Sequence, residues 1–96
     1  MNTKLVIWTY NPDVAITDDV KSDHRDYLNS LITDGALIAA GPRSDVAGGV
    51  LVFAEATDQK LADLLANDPY TLAGVIATTS IIDWNAGLGA LAVSPQ

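Results

Sequence analysis

Residues 20 to 35 leave the chain little conformational choice. Val20, His24, Tyr27, Leu28, Leu31 and Ile32 recur at helical spacing and form one apolar stripe. Gly35 follows directly, where a left-handed helix end favours a residue without a Cβ. Thr17 or Asp18 stands where a helix cap is needed, and Asp18 and Asp19 put negative charge in the first turn, which the helix dipole favours. The spacing predicts an amphipathic helix opening there and closing before Gly35, with one face that must find a partner.

The flanking runs supply it. Lys4 to Tyr10 is rich in β-branched and aromatic residues and stops at Asn11-Pro12, which reads as a strand ending in a turn. Ala36 to Ala40 is a short apolar run closed by Gly41-Pro42, a buried strand. Arg43 to Ala47 reads as a polar loop, and Gly48-Gly49 as a turn or bulge leading into a third strand, Val50 to Ala56. Thr57 or Asp58 caps a second helix with Leu61, Leu64 and Leu65 on its buried side. It ends near Asn67, because Pro69 disfavours helical geometry in the residue before it. Tyr70 to Gly74 reads as one more short turn, and Val75 to Trp84 as the last strand.

The order βαββαβ is the split-βαβ, ferredoxin-like arrangement of the α+β class, four antiparallel strands with two helices on one face. Within the first strand Leu5 and Ile7 point one way, and Val6, Trp8 and Tyr10 the other; Val50 and Val52 likewise oppose Leu51 and Phe53. Both faces are then apolar while helices cover only one, so the open face is expected to join two copies in a dimer, sheet against sheet.

Composition narrows the function classes. At 96 residues the chain fits a single domain, with a core over about 3–85 and an extension over 86–96. Surface scaling puts roughly 64% of the unfolded chain's surface out of water, a real but thin core. Hydrophobic residues make up 49% and charged ones 18%, outside the range of intrinsic disorder. With no cysteine and one histidine there is no disulfide framework, no thiolate nucleophile and no Cys- or His-rich metal site. The acidic residues around the first helix lack the glycine-punctuated loop of a calcium binder, and Gly48-Gly49 lacks the rest of a phosphate-binding fingerprint. Neither a metal nor a cofactor is expected. A net charge of −7 repels phosphate backbones and anionic lipid, so neither nucleic acid nor a membrane surface is an expected partner. No apolar run approaches a signal peptide or a membrane span, and a cytoplasmic location is the expectation.

His24-x-x-Tyr27-Leu28-x-x-Leu31-x-x-x-Gly35-x-Leu37-x-x-x-Gly41-Pro42, then Asp68-Pro69-Tyr70-x-x-x-Gly74, and finally Trp84, resembles the YciI (YCII-related) family over nearly the whole chain. That resemblance implies a ferredoxin-like fold in a dimeric α/β-barrel assembly and an active site on a histidine–aspartate pair, here His24 and Asp68. One branch of the family is similar to lactone-type isomerases and dehydrochlorinases, cofactor-free enzymes that move protons on small anionic substrates. Members often carry an arginine three residues before the histidine. This chain has Lys21 there, which attracts a carboxylate without gripping it bidentately.

Read from the residues alone, His24 has two roles open, a core residue of the apolar stripe bonded to backbone or a proton-transfer group. His24 is the one side chain whose ordinary pKa lies near neutrality, which suits it to proton transfer. Asp68 could accept its imidazole N–H and fix the tautomer, and as an Asp-Pro after a helix it also suits turn chemistry. Tyr27, Tyr70, Arg43 and Lys21 are the candidate substrate-binding residues. For Tyr27 simple packing, and for Arg43 a solvated loop cation, are the competing roles. Trp8 and Trp84 read as core or interface. The leading expectation is a small acid–base enzyme of isomerase or lyase type acting on a small anionic or lactone-like substrate. Its alternatives are a dimer that binds a small ligand without turnover and an assembly module using the apolar tail from Leu88 to Val93.

Overall fold

The computed structural model describes residues 3–89. Seven elements follow in order: β1 (Thr3–Tyr10), α1 (Asp18–Thr33), β2 (Leu37–Pro42), β3 (Gly48–Phe53), α2 (Asp58–Ala66), α3 (Pro69–Leu72) and β4 (Ile76–Trp84). The strands form one antiparallel sheet in the order β2-β3-β1-β4, so each βαβ half places its strands with one strand's gap between them. This is the ferredoxin-like architecture expected from the sequence.

Local chemistry explains the boundaries. Of the two candidate caps for each helix, Thr17 and Thr57 take the position, their hydroxyls accepting the Val20 and Lys60 N–H groups. Gly35, at φ 81°, ends α1. The Ala36 N–H bonds the Leu31 carbonyl and the Gly35 N–H bonds that of Ile32, satisfying carbonyls the helix leaves open. The short turn expected at residues 70–74 is α3, closed in the same way by Gly74 at φ 75°.

Three strand ends differ from the sequence reading. Gly48 and Gly49 are not a turn but the first residues of β3, in register with Thr9 and Trp8. A Cβ on Gly48 would lie 2.1 Å from the Trp8 carbonyl oxygen, so the glycine permits a close strand approach rather than a chain reversal. β2 likewise runs through Gly41-Pro42, which Pro42 tolerates because β2 is an edge strand. β3 stops at Phe53, three residues before Ala56.

The sheet's two faces are both apolar, as its alternation suggested. Val6, Trp8, Leu51 and Phe53 lie under the helices and pack with Leu31, Leu61, Tyr70 and Val75 into the core. Leu5, Ile7, Val50, Val52 and Ile82 register with one another across the other face. Lys4, on the helix side at the far end, bridges Asp83 of β4 and Asp58 at the start of α2. Among the described residues no helix is long and apolar enough to cross a membrane. The tail segment from Leu88 to Val93 falls mostly outside the described residues.

Candidate active site

His24 sits in the second turn of α1 on the face turned to the sheet. Opposite it, the chain leaving α2 reaches Asp68, Pro69 and Tyr70 at the start of α3. Asp68 caps this turn, its Oδ1 accepting the Tyr70 N–H at 2.9 Å, and Pro69 occupies the first helical position, where a missing N–H costs nothing. The same oxygen lies 2.7 Å from His24 Nδ1. Turn chemistry and a His–Asp contact therefore coexist on one carboxylate.

The three-residue stretch holds the imidazole from two directions. Asp68 meets its edge, and the Tyr70 ring stacks on its face with centroids 3.6 Å apart and planes 7° from parallel. Trp8 packs at 6.3 Å on a tilt. Asp68 is 1% exposed, whereas the His24 side chain keeps 14% of its surface open. A carboxylate oxygen in this position can accept the Nδ1–H of the ring, the arrangement that leaves Nε2 turned away from Asp68. Nε2 has no hydrogen-bond partner among the described residues.

His24 and Tyr70 open onto a cleft of about 450 Å³ between α1 and the β2–β3 side of the sheet. Leu28 and Ile32 of α1 form one wall, Gly41, Pro42 and Gly49 the other, and Trp8 and Tyr10 of β1 reach in from beneath. Lys21 and Arg25, one helical turn apart, also line it. Neither is in an ion pair among the described residues, unlike Lys4 and Arg43. In a chain of net charge −7, the cleft thus carries two uncompensated cations.

The six sequence candidates divide. His24, Tyr70 and Lys21 line this cleft, and Asp68 is buried behind His24. Tyr27 and Arg43 do not line it. Tyr27 points to α2, its hydroxyl donating to the Leu64 carbonyl at 2.7 Å. The Arg43 guanidinium donates to both Asp45 oxygens, at 2.9 and 2.7 Å, and to Thr9 Oγ1 at 3.2 Å. Tyr10 and Arg25 also line the cleft and were not among the candidates. Each carried a faint signal, Tyr10 sharing the strand face of Trp8 and Arg25 lying four residues after Lys21.

Burial dominates the electrostatics of the cleft phenols. It pushes the Tyr10 hydroxyl above its usual pKa, helped by the charges of Tyr70 and Asp68 nearby. Burial likewise raises Tyr70, with Asp68 adding and Arg25 opposing. Among the described residues no three His, Cys, Asp or Glu side chains converge as metal ligands.

Comparison with known proteins fits this fold. The YCII-related domain family matches residues 3–85. The chain belongs to the YCII-related family. Solved structures share its fold, among them these three. The dehydrochlorinase TftG from Burkholderia phenoliruptrix AC1100, solved in complex with 2,5-dihydroxybenzoquinone, superposes with a TM-score of 0.76 at 23% identity, over 88% of this chain and 95% of its own. Protein Atu4242 from Agrobacterium tumefaciens gives 0.61 at 12% identity, over 95% of this chain and 99% of its own. At3g17210 from Arabidopsis thaliana gives 0.53 at 11%, over 95% and 100%. No curated protein matches the chain in sequence.

Proposed function

We propose that this YCII-related protein is a small acid–base enzyme. His24, oriented by Asp68, moves a proton on a small anionic substrate held in the cleft, in an isomerase- or lyase-type reaction that needs no cofactor. One observation carries the reading. A buried carboxylate holds Nδ1 of the only histidine at 2.7 Å, while the ring's other nitrogen has no partner among the described residues and the ring lines the cleft. Fixing the tautomer makes the imidazole a directed base, and the negative partner stabilises the imidazolium formed when it accepts a proton.

The cleft supports the substrate class. Its volume of about 450 Å³ lies in the range of small-molecule sites, and its walls are mainly apolar. Lys21 and Arg25 supply the attraction for a negative group. TftG, of similar fold, is named for dehydrochlorination of a hydroxylated ring and was crystallised with a small quinone. Lactones and small hydroxylated rings are therefore the compounds to test first. The open face of Leu5, Ile7, Val50, Val52 and Ile82 is the surface through which we expect two copies to associate.

Turnover of such a panel by wild type and by His24→Ala is the test. The mutant is expected to lose at least about 100-fold in rate while keeping its fold, the usual scale for general acid–base catalysis. A mutant that turns the substrates over as well as wild type overturns the assignment. Saturable binding without product from any compound would favour the non-catalytic ligand-binding dimer.

A further inference from the structure

The chain has three tyrosines, and their hydroxyls have different fates. Tyr27 spends its O–H on the Leu64 carbonyl. Tyr10 and Tyr70 line the cleft, and neither hydroxyl has a hydrogen-bond partner among the described residues. No buried side-chain oxygen lacks a partner among those residues, so both of these free hydroxyls are reached by solvent.

Tyr10 is the better placed to act on a ligand. It ends β1 where the pairing with β4 slips, one step on β1 from Thr9 to Tyr10 matching two on β4 from Thr78 to Ile76. Such irregularities often redirect a side chain beside a functional site. Its ring stands perpendicular to that of Tyr70 with centroids 5.6 Å apart, and Tyr70 stacks on His24, so the three rings form one continuous wall. The Tyr10 hydroxyl lies over Gly49 on the neighbouring strand. A Cβ there would come within 3.1 Å of it, so glycine at this position makes room for the hydroxyl.

We propose that Tyr10 is a catalytic hydrogen-bond donor, binding the oxyanion that forms when His24 removes a proton. The inference rests on the acid–base reading of His24. In the step, His24 Nε2 takes a proton from the carbon beside a substrate carbonyl. The C–H bonding pair becomes the new C=C bond, and the carbonyl π pair moves to oxygen as an enolate. The Tyr10 O–H donates to that oxygen without losing its proton. Return of the proton from Nε2 to a different carbon, or departure of a leaving group as an anion, completes isomerisation or elimination with every atom accounted for. A phenol kept protonated by burial suits this part, because a donor must still hold its proton when negative charge develops.

A stable enolate mimic tests it without knowledge of the substrate. Binding of 4-nitrophenolate at about pH 8, where tyrosine is protonated, is followed by its visible absorbance in wild type, Tyr10→Phe and Tyr27→Phe. Phenylalanine keeps the ring wall and removes only the O–H. We expect Tyr10→Phe to bind at least about tenfold more weakly, the usual scale for a hydrogen bond to a charged acceptor, and Tyr27→Phe to bind as wild type does. Equal binding by wild type and Tyr10→Phe overturns the role of Tyr10 and leaves the His24 reading standing. No binding by wild type overturns the oxyanion site altogether, and the turnover assay of His24→Ala then judges the acid–base reading separately.

Discussion

Two contacts between a nitrogen side chain and a carboxylate in this molecule have the same length and opposite settings. His24 Nδ1 and Asp68 Oδ1 are 2.7 Å apart, and so are an Arg43 guanidinium nitrogen and Asp45 Oδ2. The first pair joins α1 to α3 across 44 residues, with the carboxylate side chain 2% exposed. The second ties a loop residue to its neighbour two positions on, with the carboxylate 65% exposed. Water competes for the second pair and is nearly excluded from the first. Distance alone therefore says little about what a contact is worth; burial and sequence separation decide.

The largest effect should come from breaking the buried pair. Asp68→Ala removes the partner of His24 and the cap of α3 together. It should lower stability by about 2–3 kcal/mol, summing a buried charge-assisted hydrogen bond and a helix cap, as read from the denaturant midpoint. Asp68→Asn keeps size and a capping oxygen but no charge. It should recover most of that stability while remaining poor in turnover, and the gap between the two variants measures what the charge does for His24.

Tyr27→Phe should be milder, costing about 1 kcal/mol for one hydrogen bond to the Leu64 carbonyl, with activity unchanged. Asp45→Asn should lower the midpoint at neutral pH only slightly. The Arg43 guanidinium holds the Asp45 carboxyl below its ordinary range, at about 2. A depressed carboxylate contributes above its ordinary pKa of 3.8 and stops contributing as pH falls through about 2, so any small difference from wild type should close over that window. Alkaline pH works in the other direction. Tyr10, Tyr27 and Tyr70 all resist ionisation in the fold, so the unfolded chain releases protons first and stability should fall as pH climbs through 10.0. Thermal midpoints from neutral to alkaline pH would show it.

Much of this was legible in the sequence, and the parts that were not share a physical cause. The helical stripe ending at Gly35 and the alternation of Lys4 to Tyr10 are local patterns, and so are the threonine caps; local patterns survive without coordinates. The pairing of His24 with Asp68 was legible through the resemblance to the YCII-related family, since spacing alone does not bring together residues 44 apart. The stacking of Tyr70 on His24 was not, since it depends on how α3 seats against α1. Gly48 misled for a related reason. Glycine in sequence usually signals a turn, while here it answers to the Trp8 carbonyl on the neighbouring strand. Arg43 lay beside Gly41-Pro42 in sequence, yet Asp45 and Thr9 hold its guanidinium and it does not line the cleft.

The central claim is that Asp68 sets the tautomer of His24, and one spectrum tests it. The protein has a single histidine, so the ¹⁵N signals of its ring need no assignment among competitors. In the neutral form the account predicts a proton on Nδ1 and a bare Nε2 in wild type, with that preference lost in Asp68→Ala. A wild-type ring protonated on Nε2, or a tautomer indifferent to the loss of Asp68, would contradict it.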